Sequence, residues 1–104
     1  MTENELIWIG GYLTAKGCFG LDITVRRRDL SEKARPKLRV RSKDREPLER
    51  LRSLVRAGSI SRGDRAGHYY VLADRNVIDF AHTIMPFVSA FRKREILNMI
   101  ERAS

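Results

Sequence analysis

The hydrophobic period of the chain changes at Gly17. Before it, Ile7, Trp8, Gly11 and Ala15 recur at helical spacing, so residues 4 to 16 read as a helix capped by Asn4. A glycine just past a helix end closes it, and Gly17 is assigned that part. After it, Phe19, Leu21, Ile23 and Val25 alternate with Gly20, Asp22, Thr24 and Arg26, which is a strand with one buried and one polar face. A helix that runs directly into such a strand commits the chain to a mixed α+β fold.

The rest of the sequence extends that reading. Residues 29 to 35 form a connecting loop, and Pro36 to Ser42 a second strand with Leu38 and Val40 inward. Asp44 and Pro47 open a second helix carrying Leu48, Leu51, Leu54 and Val55, which Gly58 ends. "SIS" and "HYYVLA" are short strands joined by the turn "RGDRAG". Asp74 caps a third helix carrying Val77, Ile78, Phe80, Ala81, Ile84 and Met85, which Pro86 interrupts. A last helix, from about Ser89 to Arg102, offers Phe91, Ile96, Leu97 and Ile100 for packing. The predicted order is helix, strand, strand, helix, strand, strand, helix, helix. Two helix-hairpin halves of this kind build one antiparallel sheet with helices on a single face. Residues 1–104 are expected to form one domain.

Charge narrows the function. Twenty-one Lys and Arg oppose thirteen Asp and Glu, a net +8, which points to a polyanionic partner. The outward set on the first strand is Gly20, Asp22, Thr24, Arg26 and Arg28. On the second it is Lys37, Arg39, Arg41 and Lys43. Cations facing the same way on adjacent strands repel one another unless a polyanion covers them. A two-stranded ribbon fits the major groove, so Asp22, Thr24, Arg39 and Arg41 are candidates for base readout. Arg26, Arg28 and Lys37 are candidates for outer base pairs or phosphates. Asp22 accepts from a cytosine amino group or organises a neighbouring Arg. The second hairpin adds Ser59, Ser61, Arg62, Arg65 and Tyr69, while Tyr70, Phe80 and Phe87 read as core.

Other chemistries find little support. Cys18 is the single cysteine, so an intramolecular disulfide and a cysteine-rich zinc site are excluded. His68 and His82 lack metal-ligand spacing and read as surface or packing residues. No apolar run reaches membrane-spanning length and no signal peptide opens the chain, so a cytoplasmic, nucleoid-associated protein is expected. No small-molecule substrate, cofactor or membrane partner is expected.

The ordered segments also resemble a known family. "WIGGYLTAKGCFGLDI" resembles the motif of a single-motif LAGLIDADG homing endonuclease subunit, in which Trp-Ile-Ala-Gly leads to an acidic pair, then Gly and an aromatic. "EPLERLRSLVRAGSI", "HYYVLADRNVIDFAHTIMPF" and "RKREILNMIE" are similar to that family's later helices and strands, so the resemblance spans about residues 6 to 101. It implies an αββαββα fold and a homodimer paired through the motif helices. It also implies double-stranded DNA as partner, with the two sheets forming a saddle over it. Ile7, Trp8, Gly11 and Ala15 are then the dimer interface, small residues letting two helix backbones approach.

The resemblance departs at the chemistry. Active members end the motif helix on an acidic residue, where paired carboxylates hold a divalent cation. Lys16 stands at that position, and Thr14 at the earlier acidic one. An ammonium has no lone pair for a metal and attracts phosphate instead. No metal and no catalytic residue are therefore expected, and the chain is expected not to be an enzyme. The expected function is recognition of a pseudo-palindrome of roughly twenty base pairs, a site that the family resemblance implies. Such a protein acts as a transcriptional regulator or repressor. The alternatives are an active or nicking homing endonuclease, including one half of a heterodimer, and an RNA-binding splicing factor.

Overall fold

The computed structural model describes residues 1–63, 65 and 67–103. Helix α1 (Glu3–Lys16) leads into strands β1 (Gly17–Val25) and β2 (Glu32–Ser42). Helix α2 (Glu46–Val55), strands β3 (Ser59–Arg62) and β4 (His68–Ala73), and helix α3 (Asp74–Ile84) follow. A 3₁₀ turn (Met85–Phe87) precedes helix α4 (Ala90–Ala103). The four strands form one antiparallel sheet in the order β1-β2-β4-β3. Asp64 and Ala66 of the expected "RGDRAG" turn lie outside the described residues.

The helices cover one face of that sheet. Phe19, Leu38, Val40, Tyr70 and Leu72 project from the strands into a core with Ile9 and Leu13 of α1 and Leu48 and Leu51 of α2. Val77, Phe80, Ala81 and Ile84 of α3, with Ile96 and Met99 of α4, complete it. Burying one such side chain contributes about 1.5–3 kcal/mol, which is what a helix of this length needs to persist. Phe91 and Leu97 do not join the core as expected, being 61% and 54% exposed. Ile96 is buried as expected, and Met99 shares the buried side of α4 with it.

Several local signals resolve differently from expectation. Thr2, not Asn4, caps α1: its hydroxyl accepts from Glu5 N at 3.2 Å, and the Glu5 carboxylate accepts from Thr2 N at 2.7 Å. Those bonds from Thr2 hold the Glu5 carboxyl below its ordinary range. Gly17 does close α1, its N–H donating to Leu13 O, but it is extended, with φ −78°, and not left-handed. It is needed for space, since a Cβ there would stand 2.9 Å from Leu13 O. α2 begins at Glu46, two residues after Asp44, and ends on Arg56 in the left-handed conformation (φ 62°), whose N–H donates to Arg52 O.

Gly58 serves a neighbouring need. Its φ is +95°, and a Cβ would lie 2.5 Å from the Tyr70 hydroxyl. The glycine thus makes room for Tyr70, whose buried Oη donates to Ala57 O at 2.6 Å. Burial raises the Tyr70 phenol above its ordinary range, so it stays a neutral donor. Tyr70→Phe strands the Ala57 carbonyl and should cost about 1–3 kcal/mol in urea unfolding. An unchanged midpoint would show that water replaces the phenol.

The first hairpin differs most. The expected loop over residues 29–35 is instead strand from Glu32 onward, pairing Glu32 to Val25 and Lys33 to Thr24. The turn occupies residues 26–31, closed by Arg26 N to Ser31 O and Leu30 N to Arg26 O. Since β4 pairs only with residues 37–42 of β2, the far ends of β1 and β2 overhang as a two-stranded ribbon. Both faces of this ribbon meet solvent, so no apolar alternation marks Glu32 to Arg35 as strand. Arg35 and Asp74 anchor its root as a bidentate ion pair, Nε to Oδ1 at 3.0 Å. Asp74 was expected to cap α3; it is instead the first residue of that helix, at φ 59°, and its carboxylate serves Arg35. That pairing lowers the pKa of Asp74.

Candidate nucleic-acid interface

Residues paired across an antiparallel sheet share a face, so the register sorts the candidates. One outward row runs Ser61, Tyr69, Arg41, and the next runs Ser59, Val71, Arg39, Cys18. Beyond them lie Ala73, Lys37 and Gly20, then Arg35 with Asp22, then Lys33 with Thr24. The structure therefore brings Asp22, Thr24, Lys37, Arg39, Arg41, Ser59, Ser61 and Tyr69 onto the helix-free face. Lys33, Arg35 and Cys18 share it and were missed. Extending the strand alternation backward from Arg39 would have found the first two.

Five candidates sit elsewhere. Arg62 pairs with His68, whose row continues to Ser42, and by alternation this row faces the helix side with Ile60 and Tyr70. Its assignment to the outward face is corrected accordingly. Arg26 and Arg28 lie in the β1–β2 turn, past the last strand residue, at the tip of the ribbon. Arg65 lies in the β3–β4 turn, exposed and at φ 60°. Lys43 is exposed just past β2.

The outward charges are not all free. Asp22 pairs with Lys37 Nζ, and its Oδ1 accepts from Arg39 Nη2 at 3.0 Å. The bond from Lys37 is the main reason its carboxyl sits below the ordinary carboxylate range. Asp22 thus pairs with a neighbouring Arg, the contact that one of its two expected roles requires. Arg41 has no ion pair among the described residues.

Lys16 is exposed at the C-terminal end of α1, where the helix dipole favours a cation. Thr14, two residues back, is structural. Its hydroxyl donates to Gly10 O at 2.7 Å and accepts from Ser89 N at 3.1 Å. Its carbonyl accepts from Arg92 Nε at 3.3 Å, and Arg92 Nη1 donates to Glu95 at 2.8 Å. Glu95 in turn accepts from Phe19 N, so this network joins the end of α1 to α4 and β1.

A hard divalent cation needs several oxygen ligands. Lys16 offers none, the Thr14 hydroxyl is occupied, and Asp22 is held by two cations. These residues do not fit such an ion. Among the described residues no cluster of three His, Cys, Asp or Glu is placed to hold a metal.

The open side of α1 carries Ile7, 54% exposed, with Gly11 and Ala15. A Cβ added at Gly11 would meet nothing within 4 Å. Trp8 does not share this strip. Its ring stacks on Tyr12 at 5.3 Å, and the Arg50 guanidinium of α2 lies 4.2 Å from its centroid.

This arrangement of helices on one face of a four-stranded saddle has close counterparts among solved structures. The archaeal intron-encoded homing endonuclease I-Vdi141I, complexed with DNA, superposes with a TM-score of 0.83 at 24% identity, over 97% of this chain and 67% of that one. The fold is that of the LAGLIDADG homing endonucleases. The homing endonuclease I-CvuI, in complex with DNA, gives a TM-score of 0.82 at 16% identity over 93% of this chain. The LAGLIDADG homing endonuclease I-SmaMI, bound to cleaved DNA, gives 0.79 at 16% identity over 94%. This chain spans 64% of the length of I-CvuI and 35% of that of I-SmaMI. No family model and no curated protein matches the sequence.

These neighbours correct one expectation. A chain with no enzymatic activity was inferred from Lys16 and Thr14, yet the LAGLIDADG fold found here is shared with endonucleases, which are enzymes. Two side chains at the end of α1 therefore do not establish that the chain lacks activity. No helix among the described residues is long and apolar enough to cross a membrane.

Proposed function

We propose that this chain is a DNA-binding domain that recognises a pseudo-palindromic double-stranded site as a homodimer and regulates transcription by occupying it. The observation that carries this reading is the helix-free sheet face. There Lys37, Arg39 and Arg41 stand on alternate positions of one strand, with Ser61 and Tyr69 completing the row of Arg41. A ribbon with that spacing presents its side chains to the major groove. The longest dimension of one copy, 46 Å, equals about 13 base pairs at ~3.4 Å each, enough to cover a half-site of roughly ten. Ile7, Gly11 and Ala15 supply the seam, and its small residues allow two α1 helices to approach closely. Lys16 then lies beside the two-fold axis, where it meets phosphates of both strands.

A second reading is DNA cleavage or nicking, favoured by the endonuclease neighbours. Selection of bound duplexes from a random pool, followed by incubation of the recovered site with protein and Mg²⁺, separates the two. A palindromic site that remains intact supports the regulator. A site that is cut establishes the nuclease, and enrichment of no duplex sinks both readings.

A further inference from the structure

Resting on the DNA-binding reading, we propose that Asp22 is a specificity-determining residue that organises Arg39 for base recognition and suppresses sequence-independent binding. The register shows why this carboxylate acts on Arg39. Its direct cross-strand partner is Arg35, but Arg35 is committed to Asp74. The next outward position on β1 is Gly20, opposite Lys37, and a Cβ there would meet nothing within 4 Å. Across that open space Lys37 and Arg39 both reach Asp22.

The result is a sheet face with an ordered centre. Asp22 takes one nitrogen of Arg39, Nη2, at 3.0 Å. The other guanidinium donors remain, enough to engage the O6 and N7 of a guanine. A guanidinium already held in place loses less freedom on binding. The same carboxylate repels phosphates and offsets part of the charge of Lys37 and Arg39. Non-specific duplex, held almost wholly through its phosphates, is therefore penalised more than the cognate site.

The test compares wild type, Asp22→Asn, Asp22→Glu and Arg39→Ala. Binding to the selected site and to a scrambled duplex of the same composition is measured across a salt series. Base preference is measured by repeating the selection. Asp22→Asn is expected to bind the scrambled duplex more tightly and to lose the pre-organisation of Arg39 at the site, so the ratio of site to scrambled affinity falls by on the order of tenfold. Its salt slope on scrambled DNA should steepen by about 0.9 for each additional phosphate that is neutralised. The base position it relaxes should be the one that Arg39→Ala relaxes, and Asp22→Glu should keep the wild-type ratio. Affinities that move in parallel, or relaxation at a different base, overturn the inference. Wild-type protein that prefers no duplex refutes the DNA-binding reading itself, before any variant is made, and the inference with it.

Discussion

Gly10→Ala is expected to destabilise the chain severely, while a larger change at the adjacent Gly11 leaves the folded subunit intact. A Cβ on Gly10 would stand 2.2 Å from Phe87 O and 2.6 Å from Phe87 Cβ. The obstacle is partly backbone, in the 3₁₀ turn that contains Pro86, so it cannot rotate away. Overpacking of this kind costs about 1–3 kcal/mol, and more where the neighbour cannot yield. Urea unfolding would show it as a fall in midpoint with the slope unchanged. At Gly11 nothing within 4 Å opposes a side chain, and replacing glycine within a helix gains up to ~1 kcal/mol of propensity. Gly11→Leu should therefore keep or raise the unfolding midpoint, yet lose both dimerisation and duplex binding. A Gly11→Leu protein that sediments as the same dimer would show that the subunits pair elsewhere.

Duplex affinity should collapse with salt. Lys16, Arg26, Arg28, Lys37, Arg39, Arg41 and Lys43 are distributed over the sheet face, the ribbon tip and the end of α1. If roughly six to ten phosphates are neutralised per dimer, affinity falls by on the order of 10³–10⁵ between about 50 and 200 mM salt. Lys16→Gln removes one cation per subunit, so it should reduce the logarithmic slope by about 2 in the dimer, at ~0.9 per phosphate. A wild-type slope shallower than about −2 would mean that the cations are a solvated surface and not a phosphate-binding face.

The candidate site was largely legible because a strand has period two. Once Leu38 and Val40 are inward, Lys37, Arg39 and Arg41 must share the other face, and the structure places them there. Arg62 was misplaced for the same physical reason run backward. Ser61 faces out, so its strand neighbour faces in, and the charge of Arg62 drew it to the wrong side. Arg26 and Arg28 continued an alternation past the residue where the strand turns. Lys33 and Arg35 escaped notice because the exposed ribbon buries neither face and leaves no apolar signature.

The sequence alone determined the order of helices and strands, the inward residues Phe19, Leu38, Val40, Tyr70 and Leu72, and the surplus of cations opposite them, though not the exposure of Ile23 and Val25, which it placed on a buried face. These depend on spacing along the chain, which local backbone geometry converts directly into faces. Only the tertiary structure decided which strands adjoin, setting β4 between β2 and β3. It alone decided that Asp74 holds the ribbon, that Thr14 ties α1 to α4, and that of two neighbouring glycines Gly10 meets Phe87 while Gly11 meets open space. Each of these is a contact between residues far apart in the chain or a matter of which side of a helix is already covered. Neither has a periodicity to read, because it is set by the packing of whole elements against one another.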